Sequence, residues 1–272
     1  MNKGGDGTGA EIITRATWNA MTTAQKQAKG LVAIQDTTTG FNRGVLVNGA
    51  DYVPVGIYLP NSDASTVICE AYLNNFNATA STWGTGTQPA HYMSSALPTI
   101  DTTENAVYVP AYLSGVVPYV NLGATDTPFT AYVVMKLSSP STYSRILSCV
   151  STRSSNGGIM LYGSTISVSS WGSDTSTGLS STDYFVGCIR YGATSTGFAY
   201  DGMDIVSVDK TPSTCGRYVT LARTDIETST SNAEPSDCYV RYFAVVNEAE
   251  SNVVIEANMS SLYNSFIGGT AT

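Results

Sequence analysis

Apolar and polar positions alternate in short runs through most of the chain. In FTAYVVMKL, Phe129, Ala131, Val133, Met135 and Leu137 form one apolar set, while Tyr132 and Val134 fall on the other face. Side chains of an extended strand point to opposite faces in turn, so this spacing predicts a strand. Comparable runs are VGIYLP (55–60), STVICEAYL (65–73), AVYVPAYL (106–113), VVPYVNL (116–122), SRILSCVS (144–151), GIMLYG (158–163), TISVSSW (165–171), YFVGCIRYG (184–192), MDIVSVD (203–209), RYVTLARTD (217–225) and CYVRYFAVVN (238–247). Gly, Ser, Thr and Pro turn signals separate them. Many short strands in this arrangement predict an antiparallel sandwich or barrel. The stretch 74–105 shows no clear strand and is long enough to be a functional or partner-ordered loop.

The period changes at both ends. Ile255, Met259, Leu262, Tyr263 and Phe266 recur at helical spacing, which predicts a short C-terminal helix. Its start is Asn247, with Glu250 three residues on, or Ser251. Gly268-Gly269 marks its end. Near the start, IITRATWNAMTTAQKQAKG places Trp18, Met21 and Ala28 close to helical spacing. Thr22 and Gln25 form a capping-box pattern, in which each side chain satisfies the other's backbone donor. Gly30 stands where a left-handed cap would end a helix. LVAIQD (31–36) and RGVLVNGADYV (43–53) follow as two strands, with Asn48-Gly49 as a turn signal. Residues 1–53 are thus a helix–hairpin module, too small for a robust core of its own. Residues 54–272 are the sandwich.

Composition supports a β protein. Charged residues make up 12% of the chain, against about 25% in typical domains. Thr is frequent and there are 17 Tyr, both suited to a pleated surface. The net charge of −8 opposes nucleic-acid binding, whose affinity comes largely from Lys and Arg on phosphates. Charge is also uneven. Residues 1–50 carry five basic and three acidic side chains, a net of +2, so the remainder carries −10. No signal peptide and no apolar membrane-spanning run is expected. The five cysteines, Cys69, Cys149, Cys188, Cys215 and Cys238, have no CxxC spacing and read as buried thiols kept reduced.

The order of the strands resembles the concanavalin A-like, laminin-G-type jelly roll. There the last strand often reads YxAVYNRALSxxEI before a short helix. Tyr242, Ala244, Val245, Asn247, Ala249, Ser251 and Ile255 match that pattern, while Glu250 and Val254 depart from it. The resemblance covers roughly residues 55–267 and implies a lectin-type jelly-roll β-sandwich. The run TxxxWNxMTxxQK, carried by Thr14, Trp18, Asn19, Met21, Thr22, Gln25 and Lys26, precedes GLVAIQD. Together they resemble the leading module of tailed-bacteriophage virion proteins. That resemblance implies a virion structural subunit (fibre, decoration or tail appendage) that attaches or oligomerises through residues 1–53. It also implies assembly in a host cytoplasm and a homo-oligomer.

The candidate chemistry is binding rather than catalysis. Glycoside hydrolysis needs two carboxylates flanking the bond, and hydrolases on this fold usually place them in an ExDxxE or ExDxE string, which is missing here. Glu248 and Glu250 read as acids favoured at a helix entrance. His91 is the single histidine, so triad and zinc-cluster patterns are lacking. No phosphate-binding glycine motif occurs. Host or mucosal glycans are the expected ligands, stacking on exposed aromatics near loops. Trp83, Trp171, Tyr191 and Tyr200 are the candidates, each with the alternative of plugging the ends of the core. Many jelly-roll lectins use calcium, and Asp201 and Asp204, or Asn121 with Asp126, are candidate ligands. The alternative is ordinary turn geometry. Otherwise no cofactor is expected.

Overall fold

The computed structural model describes residues 11–14, 17, 20–22, 25, 32–35, 42–46, 58–63, 65–76, 82–91, 98–110, 118–149, 158–170, 173–222 and 237–268. Most of them build a mainly β protein with two antiparallel sheets and one C-terminal helix, a β-sandwich.

The N-terminal segment forms a small sheet of β1 (Glu11–Thr14), β2 (Val32–Gln35) and β3 (Asn42–Leu46). Here β2 and β3 pair antiparallel, the expected hairpin, but β1 adds to β2 in parallel. The helical stretch therefore starts later than the sequence suggests. Ile12-Ile13-Thr14 is rich in β-branched side chains, which suit a strand better than a helix. Parallel neighbours need a crossover, and helical turns at Thr17, Ala20 and Gln25 lie in that connection. The capping box is present: the Thr22 N–H donates to Gln25 Oε1 at 2.8 Å, and the Gln25 N–H donates to Thr22 Oγ1 at 3.3 Å. Trp18, Ala28, Gly30 and Asn48-Gly49 lie outside the described residues.

The sandwich strands are β4 (Val67–Tyr72), β5 (Thr82–Trp83), β6 (Ala90–His91), β7 (Thr99–Asp101), β8 (Ala106–Val109), β9 (Tyr119–Asn121), β10 (Phe129–Leu137), β11 (Arg145–Cys149), β12 (Ile159–Tyr162), β13 (Thr165–Ser169), β14 (Asp174–Ser180), β15 (Phe185–Tyr191), β16 (Ser195–Tyr200), β17 (Val206–Lys210), β18 (Tyr218–Leu221) and β19 (Cys238–Val246). Sheet I has the order β17-β16-β15-β10-β19-β8-β7, with β4 also on β19. Sheet II has the order β14-β13-β12-β11-β18-β9-β6-β5.

The central strands of sheet I are buried on both faces. Phe129, Ala131, Val133, Met135 and Leu137 of β10 enter the core between the sheets, with Ile146, Leu161, Val168 and Val219 among those facing them. Tyr132 and Val134 enter a second core beneath the C-terminal helix, with Ile255, Met259 and Leu262. Each fully buried side chain of this kind contributes roughly 1.5–3 kcal/mol. The helix spans Asn252–Phe266 with Ser251 as its N-cap, the second of the two expected starts. Arg190 and Arg241 hold its ends. Arg190 Nη1 donates to Asn252 Oδ1 at 2.6 Å, and Arg241 Nη1 donates to the Phe266 carbonyl at 2.6 Å.

Both sides of the sandwich are tied across the sheets. On one side, Lys210 of β17 reaches the edge of β14, donating to the Ser173 carbonyl at 2.7 Å and to Thr175 Oγ1 at 2.9 Å. On the other, Glu70 of β4 and Thr85 exchange backbone hydrogen bonds, both at 2.9 Å. That approach needs glycine on either side of Thr85. A Cβ on Gly86 (φ 124°) would sit 2.2 Å from the Ile68 carbonyl, and one on Gly84 (φ 93°) would sit 2.7 Å from the Glu70 carbonyl.

Several local expectations need correction. Tyr58–Pro60 makes a turn, not a strand, because Tyr58 and Leu59 pack onto the outer face of sheet I instead of pairing with it. The stretch 74–105 contributes β5, β6 and β7. β14 and β16 have no counterpart among the apolar runs. β14 (DTSTGLS) is an exposed polar edge, and β16 (STGFAY) uses small residues where the sheets approach.

Candidate functional site

The outward face of sheet II follows from register. Val120, Val219 and Leu221 point into the core, so Tyr119, Asn121, Tyr218 and Thr220 point outward. His91 pairs with Tyr119 and Thr82 pairs with His91, which extends the same row to the end of the sheet. The His91 and Tyr119 rings lie 5.7 Å apart and are inclined by 34°. The Tyr119 and Tyr218 rings lie 5.5 Å apart at 86°. The Arg217 guanidinium sits 4.9 Å from the centre of the Tyr218 ring. Thr82, His91, Tyr119, Asn121 and Tyr218 are half-buried, and Arg217 is exposed. The result is an aromatic strip across β6, β9 and β18, edged by hydroxyl, amide and guanidinium groups. Partial burial pushes the Tyr119 phenol above its usual range, so it stays a neutral hydrogen-bonding group. Asn121 Oδ1 accepts from the Gly123 N–H at 2.8 Å and shapes the turn beyond the strip. Toward the middle of the sheet the row becomes buried at Thr220 and Ser148, whose hydroxyls lie 2.7 Å apart.

A second aromatic group, on sheet I, is internally satisfied. Lys136 Nζ lies 2.7 Å from Glu104 Oε2 and 5.2 Å from the ring centres of both Tyr184 and Tyr239. Arg241 stacks 3.6 Å from the Tyr184 centre and donates to the Glu104 and Phe266 carbonyls. These contacts commit both cations to holding β10, β19 and the helix end together.

Two carboxylates are buried beneath the helix. Glu70 accepts from the Tyr242 hydroxyl and the Tyr58 N–H. Glu250 accepts from the Tyr132 hydroxyl, and burial pushes its carboxyl above the usual carboxylate range. Glu250 thus stands at the helix entrance, as expected, but as a buried group. It lies one residue before the cap and joins the helix to β10.

The sequence-predicted candidates fall apart in space. Trp83 is wholly buried, with Nε1 donating to the Tyr72 carbonyl at 3.0 Å and Phe76 edge-on to its ring at 5.8 Å. It presents no face to a ligand, because its flanking glycines draw β5 onto β4. Trp171 lies outside the described residues. Tyr191 stacks on Phe129 and donates to Asp126 Oδ1 at 2.8 Å. Tyr200 packs 5.0 Å from Tyr263 on the helix. Asp201 Oδ1 accepts from the Met203 N–H at 3.1 Å, the geometry of an Asx turn between β16 and β17, and Asp204 is exposed. Asp126 Oδ1 also accepts from the Cys215 N–H at 2.6 Å. Among the described residues no group of three or more His, Cys, Asp and Glu side chains is placed to hold a metal ion.

The sequence reading missed Tyr119, Tyr218 and Arg217. The signal was present in VVPYVNL and RYVTLARTD. With Val120, Val219 and Leu221 inward, alternation puts both tyrosines on the opposite face.

No family model matches the chain, and no curated protein matches it. Solved structures do. Trypanosoma rangeli sialidase matches with a TM-score of 0.52 at 12% identity, over 76% of this chain and 34% of that one. The same enzyme in complex with 2,3-difluorosialic acid matches with a TM-score of 0.50 at 13% identity, over 76% and 35%. The binding domain of botulinum neurotoxin DC in complex with SialylT matches at 0.48 and 10% identity, over 74% and 51%. The chain thus spans about a third of the sialidase and half of the neurotoxin domain. The sialidase likeness shows the β-sandwich fold; it does not assign the chain to the concanavalin A-like family or to virion proteins.

Proposed function

We propose that the sandwich is a saccharide-binding module and that the outward strip of sheet II is its site. The observation that carries this reading is the ring set His91, Tyr119 and Tyr218, partly exposed on adjacent strands and bordered by Thr82, Asn121 and Arg217. Rings supply a flat apolar surface for the C–H face of a sugar. Amide, hydroxyl and guanidinium groups supply donors and acceptors for its hydroxyls. Among the described residues the strip contains no carboxylate, and Glu70 and Glu250 are buried, so the proposal is binding without turnover. A glycan array probed with the full chain, with and without calcium, tests it. Binding to a saccharide class is the expected result, and calcium-independent binding is expected because the strip holds no carboxylate among the described residues. No binding under either condition overturns the reading.

A second reading concerns attachment. Among the described residues, the stretch resembling phage virion proteins forms a capped helical connection and its own three-stranded sheet, apart from the two sheets of the sandwich. In this reading the chain is a virion surface subunit in which residues 1–53 join other virion proteins or further copies of the chain, and residues 54–272 present the sugar site outside the particle. Residues 54–272 alone should bind the same saccharides yet fail to join particles. Normal incorporation without residues 1–53 would contradict it.

A further inference from the structure

The structure assigns Cys149 and Cys215 as a dithiol pair poised to close into an intramolecular disulfide when the protein meets an oxidant. Five cysteines are buried as free thiols, and in this pair each thiol donates to a backbone carbonyl of the other's segment. Cys149 ends β11. Cys215 lies in the connection from β17 to β18. The Cys215 thiol donates to the Cys149 carbonyl at 3.1 Å, and the Cys149 thiol donates to the Gly216 carbonyl at 3.1 Å, so each sulfur lies against the other's backbone.

The surroundings hold the pair in place. The Cys215 N–H is fixed by Asp126 Oδ1 at 2.6 Å, the Asp126 N–H by the Cys215 carbonyl at 3.2 Å, and the Gly158 N–H by the Thr214 carbonyl at 2.6 Å. A bond here would tie β11, the 123–128 turn and the start of β18 into one unit, three residues before Tyr218. Burial and the neighbouring Cys215 thiol push the Cys149 thiol up, which keeps it protonated and makes closure slow unless the segment opens or the pH rises.

The chemistry balances with hydrogen peroxide as oxidant. One sulfur attacks the O–O bond, becomes a sulfenic acid and releases water. The second sulfur attacks the first, the S–S bond forms, and a second water leaves with the remaining thiol proton. Two electrons pass from the thiols to the peroxide. The loop closed has its ends 66 positions apart, long enough for a crosslink to restrict the unfolded chain strongly. This inference stands apart from the saccharide reading, since it requires only the fold.

The test uses the full chain, purified reduced, exposed to hydrogen peroxide at mildly alkaline pH, then acid-quenched, alkylated in denaturant and mapped by mass spectrometry. The expected product has one disulfide, between Cys149 and Cys215, with Cys69, Cys188 and Cys238 alkylated. Its thermal midpoint rises and falls back on reduction. Cys215→Ser should show no such rise, while Cys238→Ser should form the same crosslink. Five alkylated thiols, over-oxidised single cysteines, or a crosslink between other positions would each overturn the assignment.

Discussion

The Tyr242 hydroxyl donates to Oε1 of Glu70 at 2.8 Å, on an oxygen that also accepts the Tyr58 N–H at 3.1 Å. Three separate pieces of chain, β19, β4 and the turn at residues 58–60, meet at this carboxylate, and both side chains are fully buried. Removing one donor leaves a buried acceptor short of a partner. Tyr242→Phe keeps the ring and is expected to lower stability by about 1–3 kcal/mol. Urea denaturation measures this, and an unchanged midpoint would show that the hydroxyl contributes nothing there.

Glu250 makes stability depend on pH in a definite direction. Burial raises its carboxyl in the folded protein above the ordinary 4.5. The folded state then holds the proton more tightly than the unfolded chain, so the charged form carries a penalty. That penalty is absent below 4.5, grows as pH rises through the folded value, and is complete above it. Glu250→Gln keeps an acceptor for Tyr132 without the charge. The stability of this variant relative to the natural chain should increase from acid to neutral pH. Denaturation midpoints at several pH values give the comparison, and a parallel pair of curves would contradict the burial argument.

Gly86 tests the closure between the sheets. An alanine Cβ would lie 2.2 Å from the Ile68 carbonyl at a φ of 124°. Gly86→Ala should destabilise by at least ~2 kcal/mol. Gly123→Ala, with a positive φ but nothing within 4 Å of the added atom, should cost less. Equal losses would mean that backbone strain alone, and not the close approach, sets the effect.

Legibility in the sequence followed burial. β10 was readable to its residue limits because Phe129, Ala131, Val133, Met135 and Leu137 keep one face apolar for all nine positions. The C-terminal helix was readable because Ile255, Met259 and Leu262 must face sheet I. β14 was invisible because an exposed edge strand need not carry an apolar residue, and its pairing with β13 is made by the backbone. Trp83 misled because a tryptophan near Gly and Thr looks loop-borne, whereas the glycines serve the close packing that buries it. The strip was hidden for a related reason. Tyr119 and Tyr218 are 99 positions apart in number, and only the β9–β18 register makes them neighbours. The buried carboxylates were equally hidden, since nothing local to Glu70 names Tyr242 as its partner.

The most direct measurement is a calorimetric titration of the full chain, and of a Tyr119→Ala/Tyr218→Ala variant, with the saccharide that the array selects. The account predicts that the variant still unfolds cooperatively, because both rings are on the outward face and outside the core, and loses affinity by at least about tenfold, equivalent to ~1.4 kcal/mol. Tyr108→Ala, on sheet I, should bind as the natural chain does. Undiminished binding by the double variant would contradict the assignment of the site to sheet II.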